Sequence, residues 1–163
     1  MVVVVVPAVL VWAHGADVGW DLPAPFGAFL VGAGAGAVIV GVRLWLATIR
    51  LFVEVGRGTL APWDPPRRFV VRGPYQRVRN PMISALGFVL LGETAVFGSR
   101  WVAILFAGFV VVNAIYIPLV EEPRLVRRFG ADYEQYRRAV PRWIPRRTAW
   151  SPGPDRGRPE IPH

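Results

Sequence analysis

The twenty residues from Trp101 to Val120 contain no charged side chain. Wound as a helix they rise roughly 30 Å, the thickness of a bilayer's hydrocarbon core, and a helix crosses that core with its backbone amides and carbonyls satisfied. Phe26 to about Leu46 is a second such run, interrupted only by Arg43. A third, to about Phe97, follows Asn80-Pro81, a pairing that suits a helix start, with asparagine as N-cap and proline at the first helical position. The run from Met1 to Ala13 rises only roughly 20 Å and spans only if residues through Trp20 join it. No basic residue precedes its valines, so it reads as an anchor and not as a secretory signal. No strand pattern competes. The expected fold is all-α and polytopic, with four spans at about 1–20, 26–46, 81–97 and 101–120.

Composition agrees. Hydrophobic residues make up 53% of the chain and charged residues 18%, with mean hydropathy +0.38, too apolar for an ordinary soluble domain. Without cysteine there is no disulfide framework, thiolate site or cysteine nucleophile, and no metal site is expected. A net charge of +8 suits nucleic acid as well as an anionic membrane, so its distribution has to decide. Arg57, Arg67, Arg68, Arg72, Arg77 and Arg79 precede the third run, ten arginines follow Val120, and only Arg100 falls on the opposite side. Basic loops stay in the cytoplasm. The expectation is an integral membrane protein with both termini cytosolic, anionic lipid headgroups as partners and no nucleic acid.

Gly32 and Gly36 are spaced to let a second helix approach closely. The Gly32-Gly34-Gly36 run follows no strand and makes no dinucleotide loop. Gly98-Ser99 turns the third run into the fourth, so the two form a tight hairpin. Beyond it, Glu121-Glu122-Pro123 is expected to start a surface helix, with Glu121 satisfying its first turn. Leu125, Phe129, Tyr133, Tyr136 and Val140 recur at helical spacing opposite Arg124, Arg128, Asp132, Arg137 and Arg138. Gly130 should end one helix, and Asp132 should cap the next, with Gln135 completing a capping box. The domain is expected to cover 1–147, and the Pro-, Gly- and charge-rich stretch 148–163 to be a disordered tail.

The hairpin returns the chain to the membrane face it left, so Asn80 and Glu121 become neighbours. Two polar clusters meet there: Arg72-Gly73-Pro74-Tyr75-Gln76-Arg77-Val78-Arg79-Asn80-Pro81-Met82, and Glu121-Glu122 followed by Phe129-Gly130, Tyr133, Tyr136 and Pro141-Arg142-Trp143-Ile144-Pro145. Both, in this order, resemble the motifs of the isoprenylcysteine carboxyl methyltransferase and phospholipid methyltransferase family of integral membrane enzymes. The likeness covers about residues 56–146. It departs at Ile83, where many members have tyrosine, and at Asn80, where others have histidine.

The resemblance implies transfer of a methyl group from S-adenosyl-L-methionine to a lipophilic acceptor drawn from the bilayer, with the cofactor segment at 121–147. Glu122 and Arg142 are then the expected catalytic residues. Gly73, Pro74, Tyr75, Arg79, Asn80, Pro81, Met82, Glu121, Glu122, Tyr133 and Tyr136 are expected to hold the cofactor. The chemistry is consistent, since carboxylates suit a sulfonium, an ammonium or ribose hydroxyls, and arginine suits a carboxylate. Plainer readings stand beside it: a helix start at Asn80-Pro81, a helix cap at Glu121-Glu122, and a buried aromatic stripe at Phe129, Tyr133 and Tyr136. Asn113 is either interhelical glue, the reading favoured here, or a pocket residue, and His14 lies on the far side. The rival functions are an NADPH-dependent membrane lipid reductase and a non-catalytic helical scaffold or transporter subunit.

Overall fold

A computed structural model describes residues 2–16, 18–55 and 71–151. Arg57, Arg67 and Arg68, and the tail from Pro152, lie outside the described residues. Those described are helical, with no strand among them: α1 (Val2–His14), α2 (Phe26–Val55), α3 (Pro81–Phe97), α4 (Arg100–Tyr116), α5 (Glu122–Phe129) and α6 (Ala131–Ala139). Short 3-10 turns lie at Val18–Asp21 and Gly73–Gln76. Two continuous helical stretches are long and apolar enough to cross a membrane, Phe26–Leu51 and Arg100–Phe129. Only 11% of the most apolar window of each is buried. A soluble core helix would be covered on most sides, so this surface calls for lipid.

The shorter apolar helices depart from expectation at one point. The first run does not continue to Trp20: Gly15, at φ +82°, ends α1 and donates its N–H to the Val11 carbonyl at 2.8 Å. A left-handed glycine closes the helix because no Cβ opposes that conformation. At thirteen residues α1 is too short to cross alone. α3 begins as expected, with Asn80 before it and Pro81 first, but Asn80 makes no side-chain cap. Gly98, at φ +62°, ends α3, and the hairpin into α4 follows.

The glycines that bring helices together are not Gly32 and Gly36, around which a Cβ would meet nothing within 4 Å. The close seam of α2 is Gly27, Gly34, Gly41 and Thr48, buried positions seven residues apart. A Cβ on Gly41 would lie 2.7 Å from the Ala85 carbonyl, and one on Gly34 would lie 2.9 Å from that of Gly92. A seven-residue repeat keeps one stripe facing a single partner along a tilted crossing, here α3. The spacing of four between Gly32 and Gly36 describes a real stripe, but on the face turned away from α3.

α4 does not stop at the acidic pair. It passes through a π-helical turn, Ile117–Glu121, directly into α5. Pro118 has no N–H to donate, and the turn widens so that the Glu122 amide bonds the Ile117 carbonyl, five residues back. One extra residue rotates everything after it by roughly 100° about the axis. Glu122 therefore faces inward and is buried, although it occupies what looks like a helix start. At the far end Gly130, at φ +56°, joins α5 to α6 in a single residue. No linker is left for Asp132 to cap, and it lies in the first turn of α6 instead.

Candidate active site

Arg79 lies just before α3, Glu122 at the start of α5 and Arg142 just beyond α6. The Glu122 carboxylate binds both arginines: Oε1 accepts from Arg79 Nη1 at 2.7 Å and from Arg142 Nε at 2.7 Å, and Oε2 accepts from Arg142 Nη2 at 3.0 Å. The Glu122 side chain is 5% exposed, against 11% for Arg79 and 30% for Arg142. A buried carboxylate survives only when its charge is met, and two guanidiniums with three hydrogen bonds meet it. The hydrogen bond to Glu122 is the main reason the Arg142 pKa is raised.

Backbone pairing lines up the same segments. The Arg79 amide donates to the Pro141 carbonyl at 2.9 Å, Arg146 to that of Arg77 at 2.9 Å, and Trp150 to that of Gln76 at 2.9 Å. The Tyr136 hydroxyl donates to the Tyr75 carbonyl at 2.7 Å. Beneath this lacing Tyr133, Tyr136 and Val140 form a core joined by Leu125, Val126, Phe129, Val71 and Trp150. The aromatic stripe expected from the sequence is thus real. Trp150, expected in the tail, stacks with Tyr136 at 5.6 Å between centroids. Arg146, which sequence reasoning passed over, donates to the Ala139 carbonyl at 2.9 Å and closes the end of α6.

The remaining expected residues gather around the clamp. Gly73, at φ +56°, and Pro74 form the turn that holds Tyr75, and a Cβ on Gly73 would touch Leu51 at 3.8 Å, so this turn rests on α2. Burial, and then the nearby Glu121 charge, push the Tyr75 hydroxyl up to about 12. Burial and Glu122 raise the Tyr133 pKa against the opposing effect of Arg79, which hydrogen-bonds it. Burial raises that of Tyr136 as well. Pro81 is buried, while Asn80 and Met82 are half-buried beside the clamp residue Arg79, with no side-chain hydrogen bond among the described residues. Asn113 is not glue between helices: its Nδ2 donates to the Phe109 carbonyl of its own helix at 2.8 Å. His14 stacks on Trp101 at the other end of the bundle.

Two polar groups at the clamp have capacity to spare. Arg79 Nε is buried with no acceptor among the described residues. Glu121 makes no hydrogen bond or ion pair with the described residues, and burial together with the Glu122 charge raises its pKa. Glu121, expected to satisfy the helix start, makes no side-chain cap, and Glu122, expected to face a ligand, is held by both arginines. Glu122 is the joint of the site, and Glu121 is the carboxylate left over. Between α3 and α4 an apolar groove of about 290 Å³ opens, with Trp143, the neighbour of Arg142, among its walls.

If the clamp organises this end of the protein, chain beyond α5 is needed for it and chain beyond Ser151 is not. Truncation after Ser151 is expected to leave melting behaviour unchanged, whereas truncation after Gly130 removes Arg142 and the tyrosine core and should abolish cooperative melting. Full stability of the shorter chain would show that the tail is an ornament of the bundle.

The sequence profile of the phospholipid methyltransferase family matches residues 29–132, nearly two thirds of the chain. The matched span holds the Gly73–Met82 segment, Glu121 and Glu122, and stops just before Tyr133. No curated protein and no solved structure matches the chain. All-helical architecture among the described residues and apolar helices that call for lipid agree with that profile, and the chain belongs to the phospholipid methyltransferase family of membrane methyltransferases.

Proposed function

We propose that this protein transfers the methyl group of S-adenosyl-L-methionine to a lipophilic acceptor at the cytosolic face of the membrane. The observation that carries the reading is the Arg79–Glu122–Arg142 clamp, which joins the two family motifs beside an unpaired carboxylate and an apolar groove. When bound, S-adenosylmethionine supplies an electrophilic methyl group on a sulfonium. The spare groups suit that molecule. Among the described residues Arg79 Nε lacks an acceptor, and the methionine carboxylate is one; Glu121 lacks a hydrogen bond or ion pair there, and the ammonium, the sulfonium and the ribose hydroxyls are candidates. Tyr75 and Tyr133 lie within electrostatic reach of Glu121 and complete that wall.

Methyl displacement needs no covalent enzyme intermediate, so the chain's task is to bind, align and exclude water. The clamp does the aligning by fixing α5 and the 141–146 segment against the start of α3. An acceptor that must lose a proton has Glu121 at hand, whose raised pKa moves it toward the range of a useful base. The groove between α3 and α4 receives the acceptor from the bilayer side. Label from the methyl donor should enter lipid extracted from membranes holding the protein, each labelled lipid heavier by one methylene. A melting-temperature shift with NADPH and none with S-adenosylmethionine would favour the reductase instead.

Glu121→Gln is expected to weaken binding of the methyl donor by roughly ten- to a hundredfold, the effect of one charge-assisted contact, with folding intact. The pH dependence has a definite sign. The folded protein holds the Glu121 proton to a higher pH than an ordinary carboxyl group does, so the anion is lost on acidification earlier than usual. Donor affinity measured by calorimetry should therefore begin to fall above the normal carboxylate range as pH drops, and Glu121→Gln should flatten that profile. A profile identical in both proteins would remove Glu121 from the site.

A four-span arrangement with cytosolic termini, in which α1 crosses only together with the segment through the Val18–Asp21 turn, and anionic headgroups resting against the exposed arginines of α5 and α6, belong to the same reading. Reporter fusions after Gly56 and after His163 should report cytosol, and one after Asp21 the opposite side. A cytosolic signal at Asp21 would mean that α1 does not cross.

A further inference from the structure

We propose that Ser84 selects the acceptor: the α3–α4 groove takes a lipid whose chain is joined through an uncharged carbonyl, and the Ser84 hydroxyl donates to that carbonyl. This rests on the groove being the acceptor's site, as read above. Polar side chains inside apolar helices usually quiet themselves by bonding the carbonyl one turn back. Three do so here: Thr48 to Leu44 at 2.8 Å, Thr94 to Leu90 at 2.8 Å and Asn113 to Phe109 at 2.8 Å. Ser84 does not. Among the described residues Ser84 Oγ has no partner, although the residue is only 8% exposed.

That hydroxyl belongs to a residue of the groove wall, where its neighbours are carbon: Ile83, Phe88, Phe109 and Trp143. None of the lining residues is charged. A phosphate or an ammonium has no counter-charge there, so the part of a lipid that fits is its neutral linkage and chain. An unmet buried hydroxyl is costly, and a ligand oxygen that accepts from it recovers that cost. The second polar group of the wall, Asn113, already gives one amide N–H to the Phe109 carbonyl of its own helix, whereas the Ser84 hydroxyl is uncommitted among the described residues. Ser84 thus holds a buried donor that its own helix does not use, and a carbonyl linkage supplies the acceptor.

The test offers purified protein two phosphatidylethanolamines matched in headgroup and chain length, one ester-linked and one ether-linked, and counts retained lipid by native mass spectrometry. Wild-type protein is expected to retain the ester form about fivefold over the ether form, the ratio set by one neutral hydrogen bond. Ser84→Ala is expected to retain both equally while melting at the same temperature or higher, because alanine removes an unsatisfied hydroxyl. Equal retention by the wild type, or a preference that persists in Ser84→Ala, overturns the proposal. Methyl label is scored separately on the same lipids. A retention ratio that depends on Ser84 with no label in either lipid upholds selection by Ser84 and counts against methyl transfer in this groove.

Discussion

Glu122→Gln is expected to lower the melting temperature in detergent by roughly 10 °C and to abolish methyl transfer, the largest effect of any single substitution at the site. Glutamine keeps the size of the side chain and one accepting oxygen but leaves Arg79 and Arg142 facing each other without a counter-charge. Removing one member of a buried ion pair costs about 3–5 kcal/mol, and the partial exposure of Arg142 places this case at the lower end. About 3 kcal/mol corresponds to that shift for a chain of this size. Arg142→Lys retains the charge while losing the bidentate geometry and should cost less. Wild-type melting and transfer in Glu122→Gln would mean that the clamp holds nothing together.

Gly92→Ala is expected to be nearly as damaging, though it lies far from the chemistry. A Cβ there would collide with the Gly34 carbonyl and lie 2.6 Å from a Val38 methyl and 2.9 Å from the Val38 amide. Two of these three are backbone atoms, so only separation of α2 from α3 relieves the overlap. Overpacking of this kind costs about 1–3 kcal/mol, and the rigid obstacle argues for the upper end. Gly36→Ala is the control, because its Cβ would meet open space. Thermal melts of both variants decide the matter: if the two behave alike, the Gly27–Gly34–Gly41 seam does not hold α2 against α3.

Much of the architecture could be read from composition and periodicity. Helical character, the hairpin at Gly98, the helix start at Pro81 and the aromatic stripe from Leu125 to Val140 each rest on local chemistry, whether an uncharged run, a left-handed glycine or an apolar spacing. The errors at the glycines and at the acidic pair share one origin, which is that they concern faces. Gly32 and Gly36 have the right spacing for a close approach, yet the buried positions are those seven apart, because α3 crosses α2 along that stripe. Which stripe is buried depends on the partner helix, and no sequence window contains the partner.

The acidic pair shows the same division. That Glu121 and Glu122 belong with Arg79 and Arg142 follows from motifs quoted in chain order, and the hairpin that unites them is a matter of span lengths. Their roles do not follow, because a glutamate before a proline looks like a helix cap wherever it stands. Pro118 opens a π turn, the extra residue swings Glu122 inward, and the C-terminal segment arrives to bind it. The sequence by itself determined that this chain is helical, apolar and arginine-faced, since those properties arise residue by residue from hydration and backbone preference. Only the tertiary structure decided which glutamate is spent on the clamp and which stays outside it, because that choice turns on the phase of a helix and on contacts between residues twenty and forty-three positions apart.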